Sequence, residues 1–206
     1  MKKLDKIYLA TTNPNKISKL TKIVDPYFRK VITIGNLLDI EESADSFEGN
    51  AQLKANYVSM LYNSYAIATE GGVLIPALGN NWNALLTRRF VDNENATDWD
   101  RIEALLKIME PYKKEEERKI VWEEAVAIGY KGHTALSKKV VGDQGQLQTK
   151  YNSAHYQPGI WQCTLTCYPQ FGYKNYFELD DEERKYSDKS WNEISNIVSG
   201  YLKTLI

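Results

Sequence analysis

The chain has 206 residues, of which 43% are hydrophobic, and its 26 basic and 27 acidic side chains leave a formal net charge of −1. This length suffices for one large domain that folds without disulfides or a bound metal. The balanced charge, with no run of Lys or Arg, argues against the basic surface that a nucleic-acid partner would need.

Targeting and metal-binding signals are also missing from the sequence. There is no apolar stretch of about 18 residues and no signal-peptide core, so we expect no membrane contact and a cytoplasmic location. Cys163 and Cys167 have the spacing of neither a redox pair nor half of a zinc site, and we interpret them as small packing residues. His133 and His155 have no partner at metal-ligand spacing.

The first predicted unit is a strand, a tight turn and a helix. Residues 6–12 alternate and then become apolar, and Asn13 followed by Pro14 has the pattern of a helix cap. This geometry would direct backbone N–H groups and the positive end of the helix dipole at a ligand above residues 11–13, with Lys16 one turn further on. The unit is a candidate phosphate site, although many strand-helix units carry a polar turn and a solvated lysine.

A short strand is predicted over residues 31–34, followed by a second helix. Residues 45–48 are interpreted as a capping box that opens this helix, which runs to about Tyr62. Lys54 falls outside the helix's apolar face, and a lysine in that position is more often solvated than a ligand. The apolar face consists of Phe47, Ala51, Ala55 and Val58.

The stretch from Tyr65 to Gly79 is the strongest candidate for chemistry. An apolar run of strand type meets Glu70, Gly71 and Gly72 and then becomes apolar again. We expect the strand to end at Glu70, with glycines that take a positive φ or let a ligand approach. Open α/β sheets place ligand chemistry at the carboxyl ends of their strands. The alternative is a surface turn with an incidental acid.

The remainder of the chain alternates predicted helices and strands. A helix starts at Thr97, a hairpin turns at residues 131–133, and an amphipathic helix runs from Ser190 onward. The other predicted β segments are 120–130, 134–141 and 160–167, with a loop or strand at 171–177. The whole chain is predicted to be one mixed α/β domain. Its helix-rich lobe covers about 1–118 plus the C-terminal helix, its β-rich lobe covers about 119–180, and a cleft lies between them.

In this order the segments resemble the HAM1 family, the inosine triphosphate pyrophosphatases. The family's Ser/Thr-Gly-Asn-x-x-Lys turn is similar to residues 11–16. Its Glu-Glu-Thr-Gly-x-Thr-Phe-x-Glu-Asn-Ala-x-x-Lys-Ala signature is similar to residues 41–55, and its Ala-Asp-Asp-Ser-Gly-Leu-x-Val-x-Ala-Leu-Gly signature to residues 68–79. Further signatures are similar to residues 87–90, 95–98, 158–159, 171–173 and 187–189.

The resemblance implies an elongated two-lobed α/β fold around a nucleotide cleft, and a reaction that cleaves dITP, ITP or XTP to a monophosphate and pyrophosphate. It also implies a homodimer. The residues it assigns to the phosphates are Thr12, Asn13, Lys16 and Lys54. Those it assigns to Mg²⁺ are Glu41, Glu42 and Glu70, with Glu70 also as the catalytic base. Those it assigns to the base are Phe171, Tyr173, Lys174, Asp188 and Lys189.

The chain departs from the family pattern at the chemical positions. Thr69 and Glu70 stand where the family has paired aspartates, which removes one charge and lengthens the other arm. A longer arm can misplace a metal that requires near-octahedral geometry. Asp188 and Lys189 replace a His-Arg pair, and a lysine does not reproduce the planar fork of an arginine. Lys174 stands where the family has an aspartate.

Two hypotheses follow from these departures. In the first, the protein is a nucleotide-sensing subunit that hydrolyses its ligand slowly and signals to an effector, such as the NAD-consuming Sir2-like partner found beside HAM1-like proteins in bacterial antiphage systems of the Kongming type. In the second, it is an active Mg²⁺-dependent pyrophosphatase with altered specificity, in which Glu70 takes over the work of the aspartates.

Overall fold

A computed structural model of the chain describes residues 2–35, 40, 42–87 and 89–206. The predicted metal ligand Glu41 lies outside these residues. The strands, in chain order, are β1 (Leu4–Leu9), β2 (Phe28–Thr33), β3 (Tyr65–Leu74), β4 (Lys119–Tyr130), β5 (His133–Leu147), β6 (Thr166–Tyr168) and β7 (Lys174–Asn175). The α-helices are α1 (Pro14–Val24), α2 (Phe47–Leu61), α3 (Asp98–Ile108), α4 (Asp181–Ser187) and α5 (Lys189–Lys203).

The strands form one seven-stranded sheet in the order β2-β1-β3-β4-β5-β6-β7. Strand β1 pairs in parallel with both β2 and β3. Helix α1 connects β1 to β2, as a parallel pair requires. The predicted mixed α/β fold is therefore confirmed.

Two helices begin where local signals predict. Helix α1 follows its Asn13 cap, and helix α3 follows Thr97 with a reciprocal bond to Asp100. The predicted capping box of α2 is wrong, because the cap is Ser46 and its hydroxyl accepts from the N–H of Gly49. Glu48 instead accepts a hydrogen bond from the hydroxyl of Ser137 in β5.

Strand β3 does not end at Glu70, as the sequence predicts, but continues to Leu74. Gly71 and Gly72 are not among the residues with positive φ, and both lie in the extended strand. Glycine is compatible with a strand although it weakens one, so the pair does not by itself mark a strand end.

The predicted hairpin is confirmed, with a turn at Lys131 (φ 51°) and Gly132 (φ 88°). Strand β5 extends to Leu147, beyond the predicted end at residue 141. The strand predicted at 160–167 is wrong: a 3₁₀ turn at Trp161–Thr164 precedes the short β6. The side-chain amide of Asn175 donates to three carbonyl oxygens of this segment and holds it curled. These carbonyls belong to Cys163 (3.2 Å), Thr164 (3.1 Å) and Thr166 (2.9 Å).

The chain divides into two compact units. Unit 1 comprises residues 1–71, 124–140 and 190–206, and unit 2 comprises residues 72–123 and 141–189. The division falls inside β3, β4 and β5, whereas the predicted lobes meet at about residue 118 and again at about residue 180. The predicted lobes and the cleft between them stay predictions.

Each unit has its own buried side chains. In unit 1, Ile194, Val198 and Leu202 of α5 are fully buried, as the amphipathic pattern predicts, against strand residues that include Ile7, Leu9 and Ile67. In unit 2, the indole N–H of Trp82 donates to the carbonyl of Val73 (2.7 Å), and its ring lies against Phe90, which in turn stacks on Trp161. Cys163 and Cys167 are both buried, and they are not joined in a disulfide. None of the helices in the described ranges is both long and apolar enough to span a bilayer.

Candidate active site

The site is built where β3 extends past the end of β1. The parallel register ends at Leu9 opposite Ile67, and the N–H of Ala10 donates to the carbonyl of Ile67 (2.8 Å). Thr69 and Glu70 therefore lie beyond the carboxyl end of the neighbouring strand, although they are inside their own. This is the edge at which open α/β sheets bind ligands. Thr69 is buried, whereas Glu70 is partly exposed.

The first turn of α1 faces this edge, but its backbone donors are already engaged. The side-chain oxygen of Asn13 accepts from the N–H groups of Asn15 (2.9 Å) and Lys16 (3.3 Å). The N–H of Asn13 donates to the hydroxyl of Thr11 (3.2 Å), and Pro14 has no N–H. Any phosphate contact at this turn therefore relies chiefly on side chains, such as the exposed Thr12, rather than on the expected cradle of N–H groups.

Lys16 reaches from α1 to β3. Its ammonium nitrogen donates to the carbonyl oxygen of Thr69 at 2.9 Å. This contact holds a positive charge beside the residue that precedes Glu70.

Lys54 binds two carboxylates at once. Its ammonium nitrogen lies 2.6 Å from Oε1 of Glu42 and 2.5 Å from Oε1 of Glu70. The three side chains are 16%, 26% and 18% exposed, respectively, so water screens their charges only in part. Burial on its own lowers the pKa of Lys54. The charge of Glu70 and the hydrogen bonds to both carboxylates more than offset this effect, so the pKa lies above its ordinary value.

A buried asparagine holds Glu42 in reach of Lys54. The side-chain oxygen of Asn50, one turn before Lys54 on α2, accepts from the N–H of Ala44 at 3.0 Å. Ala44 also lies so close to Gly49 that a Cβ on Gly49 would be 2.6 Å from the Ala44 Cβ. Asn50 is not among the predicted site residues, although a polar residue beside the apolar face of α2 is a signal that could have identified it.

The carboxylate pair fits a hard divalent cation. In the part of the chain that the structure describes, no group of three or more His, Cys, Asp or Glu side chains is arranged to hold a metal. The oxygens of Glu42 and Glu70, however, already lie around one cationic nitrogen. Mg²⁺ is usually bound by one or two carboxylates together with substrate phosphates, so this pair suits it.

The predicted base-recognition residues lie in unit 2 and have varied surroundings. Phe171 makes edge contacts with Tyr186, at 5.7 Å between ring centroids, and lies 6.2 Å from Tyr168. Lys174 donates to both carboxylate oxygens of Glu183 at 2.7 and 2.9 Å, and this hydrogen bonding raises its pKa.

Tyr173, Asp188 and Lys189 complete that predicted set. Tyr173 has a φ of 61° and is 46% exposed, and its hydroxyl donates to Glu115 at 2.7 Å. The backbone N–H of Asp188 caps the end of α4, and Lys189 begins α5. A role for any of these residues in binding a base stays a prediction.

Comparison with known proteins places this geometry in context. A dITP/XTP pyrophosphatase of Legionella pneumophila (strain Paris) is 34% identical over 113 residues, which cover 55% of this chain and 57% of that protein. A dITP/XTP pyrophosphatase of Thermoanaerobacter sp. (strain X514) is 32% identical over 128 residues, covering 60% and 62%. The chain thus spans about six tenths of the length of these curated relatives, 57% and 62%.

Solved structures share the fold. A HAM1 protein from Coxiella burnetii has a TM-score of 0.78 at 21% identity, covering 96% of this chain and 100% of that one. The Staphylococcus aureus Ham1 protein has a TM-score of 0.74 at 22% identity, covering 95% and 98%. The model of the Ham1 family matches residues 7–198. Since that match includes nearly the whole chain, this protein belongs to the Ham1 family.

Proposed function

We propose that the protein hydrolyses deaminated purine nucleoside triphosphates, of the dITP and XTP type, to the monophosphate and pyrophosphate. The observation that carries the proposal is the convergence of two lysines and two glutamates on residues 69 and 70 of β3. The lysines offer positive charges to phosphate oxygens. The glutamates beside them offer carboxylates to a metal and to a water. The names of the two relatives described above support the choice of substrate.

The lysines are the phosphate ligands in this proposal. Lys16 and Lys54 present compact positive charges that suit phosphate oxygens, and both already lie at the same segment of β3. Thr12 adds an exposed hydroxyl at the turn. Asn13 contributes mainly by fixing the turn, because its side-chain oxygen is used to cap α1.

Glu70 is the general base in this proposal. Its carboxylate accepts a proton from the water that attacks the α-phosphorus. A bond forms between the water oxygen and that phosphorus, and the bond to the bridging oxygen of the leaving pyrophosphate breaks. Glu42 and Glu70 would hold Mg²⁺, which when bound neutralises charge on the phosphate oxygens.

The residues that would contact the base in this proposal belong to unit 2. Phe171, supported by Tyr186, would stack on the purine, and Tyr173 would add a second aromatic surface. Lys174, Asp188 and Lys189 would read its polar edge as donors and acceptors.

The experiment is an assay of purified protein with dITP and Mg²⁺, in which released pyrophosphate and dIMP are quantified with dATP as the comparison substrate. We expect dITP to be preferred. Glu70→Gln should lower kcat by at least about a hundredfold, because a positioned general base typically contributes a factor of 10²–10⁴. Glu193→Gln on the exposed face of α5 removes the same charge and should leave the rate unchanged. A Glu70→Gln rate equal to that of the parent chain would remove Glu70 from the chemistry.

A second candidate function is a nucleotide-sensing subunit, favoured by the nature of residue 69. Thr69 puts a buried hydroxyl, rather than a carboxylate, next to Glu70. Slow hydrolysis would suit a sensor, because a ligand shifts an equilibrium only while it stays bound. The effector would be a separate protein, such as an NAD-consuming Sir2-like partner in antiphage defence, and the subunit would act as a homodimer.

The same assay separates the two candidates. If dITP stays bound, in stoichiometric amounts and without pyrophosphate release, the sensing function replaces the enzymatic one. Co-purification with an effector protein would then test the partner. The molecular mass in solution would test whether the subunit is a dimer. Rapid pyrophosphate release would instead exclude the sensor.

A further inference from the structure

The ammonium of Lys54 stands where a metal would stand between Glu42 and Glu70. We propose that Lys54 is a built-in cation that keeps a divalent metal off these carboxylates until a triphosphate draws the ammonium away. This inference rests on the proposed function, since it concerns how the same site is loaded. It makes metal and nucleotide binding depend on each other.

The distances leave room for one cation only. The Lys54 nitrogen lies 2.6 and 2.5 Å from oxygens of two different carboxylates. A divalent ion bound to the same oxygens, at about 2.1 Å for Mg²⁺, would nearly coincide with that nitrogen. Two positive charges cannot share this position, so the lysine must leave before a metal can bind these two oxygens.

The charges make the competition effective. Two carboxylates alone carry the charge that matches a divalent ion, and the ammonium cancels half of it. All three side chains are about three-quarters buried or more, so their attraction is screened less than it would be at an open surface. A metal arriving alone must therefore break two short charge-assisted hydrogen bonds.

The structure also indicates which part can move. Ala51 and Ala55, on either side of Lys54 in sequence, have no exposed surface, and Asn50 is bonded to Ala44. The backbone of α2 is thus anchored, while the four-carbon stem of the lysine is flexible. Departure of Lys54 is a side-chain rotation and needs no movement of the helix.

A triphosphate supplies the reason to rotate. Lys16 already places a second ammonium at the carbonyl of Thr69, so an anion near residues 69 and 70 would meet two cations. When Lys54 turns to the phosphates, the carboxylates are freed for a metal. By thermodynamic linkage, the metal strengthens nucleotide binding by the same factor by which the nucleotide strengthens metal binding.

The test is a titration of nucleotide-free protein with Mn²⁺, in which binding is measured by calorimetry and by the paramagnetic signal of free Mn²⁺. We expect weak binding to the parent chain and at least about tenfold tighter binding to Lys54→Met. Lys22→Met removes the same charge from an exposed position on α1 and should bind Mn²⁺ as the parent does. Lys54→Gln, a second neutral variant, should reproduce the gain if Lys54→Met folds poorly.

The double variant Lys54→Met/Glu42→Gln locates the gained site, since it should lose most of the tighter binding. Equal or weaker Mn²⁺ binding by both neutral Lys54 variants would overturn the inference, and so would a gain that survives loss of Glu42. If dITP is hydrolysed but the variants bind Mn²⁺ no better, only this inference fails. If the variants bind Mn²⁺ more tightly but dITP is not hydrolysed, only the pyrophosphatase activity fails.

Discussion

Two buried threonines near the candidate site differ in what their hydroxyls contact. The hydroxyl of Thr69 has no hydrogen-bond partner among the described residues, whereas that of Thr11 accepts from the N–H of Asn13. A buried hydroxyl without a partner lowers the free energy of unfolding, so removing the hydroxyl raises it again. Thr69 therefore holds a polar group that the folded chain alone does not use.

We predict that Thr69→Val raises the free energy of unfolding by about 1 kcal/mol, because the methyl group replaces an unsatisfied hydroxyl of similar shape. Thr11→Val is the matched control and should lower it by about 1 kcal/mol, since it leaves a backbone donor unpaired. Urea denaturation of both variants measures the difference. Equal losses of stability in the two variants would mean that an ordered water satisfies Thr69. A loss of nucleotide affinity in Thr69→Val alone would assign the hydroxyl to the ligand.

At the residue scale, local contacts could be predicted and distant ones could not. Asn13 caps α1 through bonds to residues two and three positions away, and such spacing is visible in the sequence. The contacts of Lys54 with Glu42 and Glu70 span 12 and 16 residues. Helical periodicity indicates only that Lys54 lies off the apolar face. Such a position favours a solvated lysine unless the helix borders a cleft. Only the order of the family signatures connected it with phosphate and metal.

Among the elements, α2 and β4 approach each other closely at Gly129. A Cβ on this glycine would lie 2.5 Å from the carbonyl oxygen of Ala55 and 2.8 Å from the hydroxyl of Ser59. The backbone of Ala55 cannot yield without moving the helix. Glycine is therefore needed here for the approach of helix to strand.

We predict that Gly129→Ala lowers the free energy of unfolding by about 1 to 3 kcal/mol, the usual cost of overpacking. Gly200→Ala is the control, for which we expect a change in the free energy of unfolding of opposite sign. Gly200 lies exposed in α5 with no atom within 4 Å of a built Cβ, and alanine there should raise stability by about 0.5 to 1 kcal/mol. Thermal and urea unfolding of both variants test the pair. A neutral Gly129→Ala would show that α2 can shift away from β4 at little cost.

The elements that sequence patterns located well are those whose ends depend on their own residues. Helices α1 and α3 have capping side chains at the predicted positions, and the turn at residues 131–132 supplies the positive φ angles that a tight hairpin needs. The ends of β3 and the curled segment before β6 were predicted wrongly. Pairing to distant strands and the amide of Asn175 decide those regions, and neither is encoded by local spacing.

For the whole molecule, the fold class was predictable because the family signatures occur in order along nearly all of the chain. The division into units was harder to see. Unit 2 begins inside β3 and is interrupted by part of β4 and β5, so no change of composition marks its limits.

Stability of the whole chain should fall steeply in alkali because of a buried thiol, a buried tyrosine and a half-buried tyrosine. Burial raises the pKa of the Cys167 thiol from 9.0 to about 11. Burial, together with the charge of Asp143 and the hydrogen bond to it, raises the pKa of Tyr168 far above its ordinary 10.0. Burial also raises the pKa of Tyr176. In each case the folded state keeps a proton that the unfolded state loses, so the free energy of unfolding decreases as pH rises.

We predict that stability is nearly constant from neutral pH to pH 9, falls between pH 9 and about 11 as Cys167 loses its contribution, and falls more steeply above pH 10 as the tyrosines join. Each retained proton adds about 1.4 kcal/mol per pH unit to the slope. Tyr168→Phe should cost about 1 to 3 kcal/mol at pH 8, because it removes the donor to Asp143, yet its slope above pH 10 should be smaller by about one proton. Urea denaturation across this pH range, with tyrosinate absorbance recorded in parallel, measures both effects. If Tyr168→Phe kept the full alkaline slope, the proton on Tyr168 would not be the one that stabilises the fold.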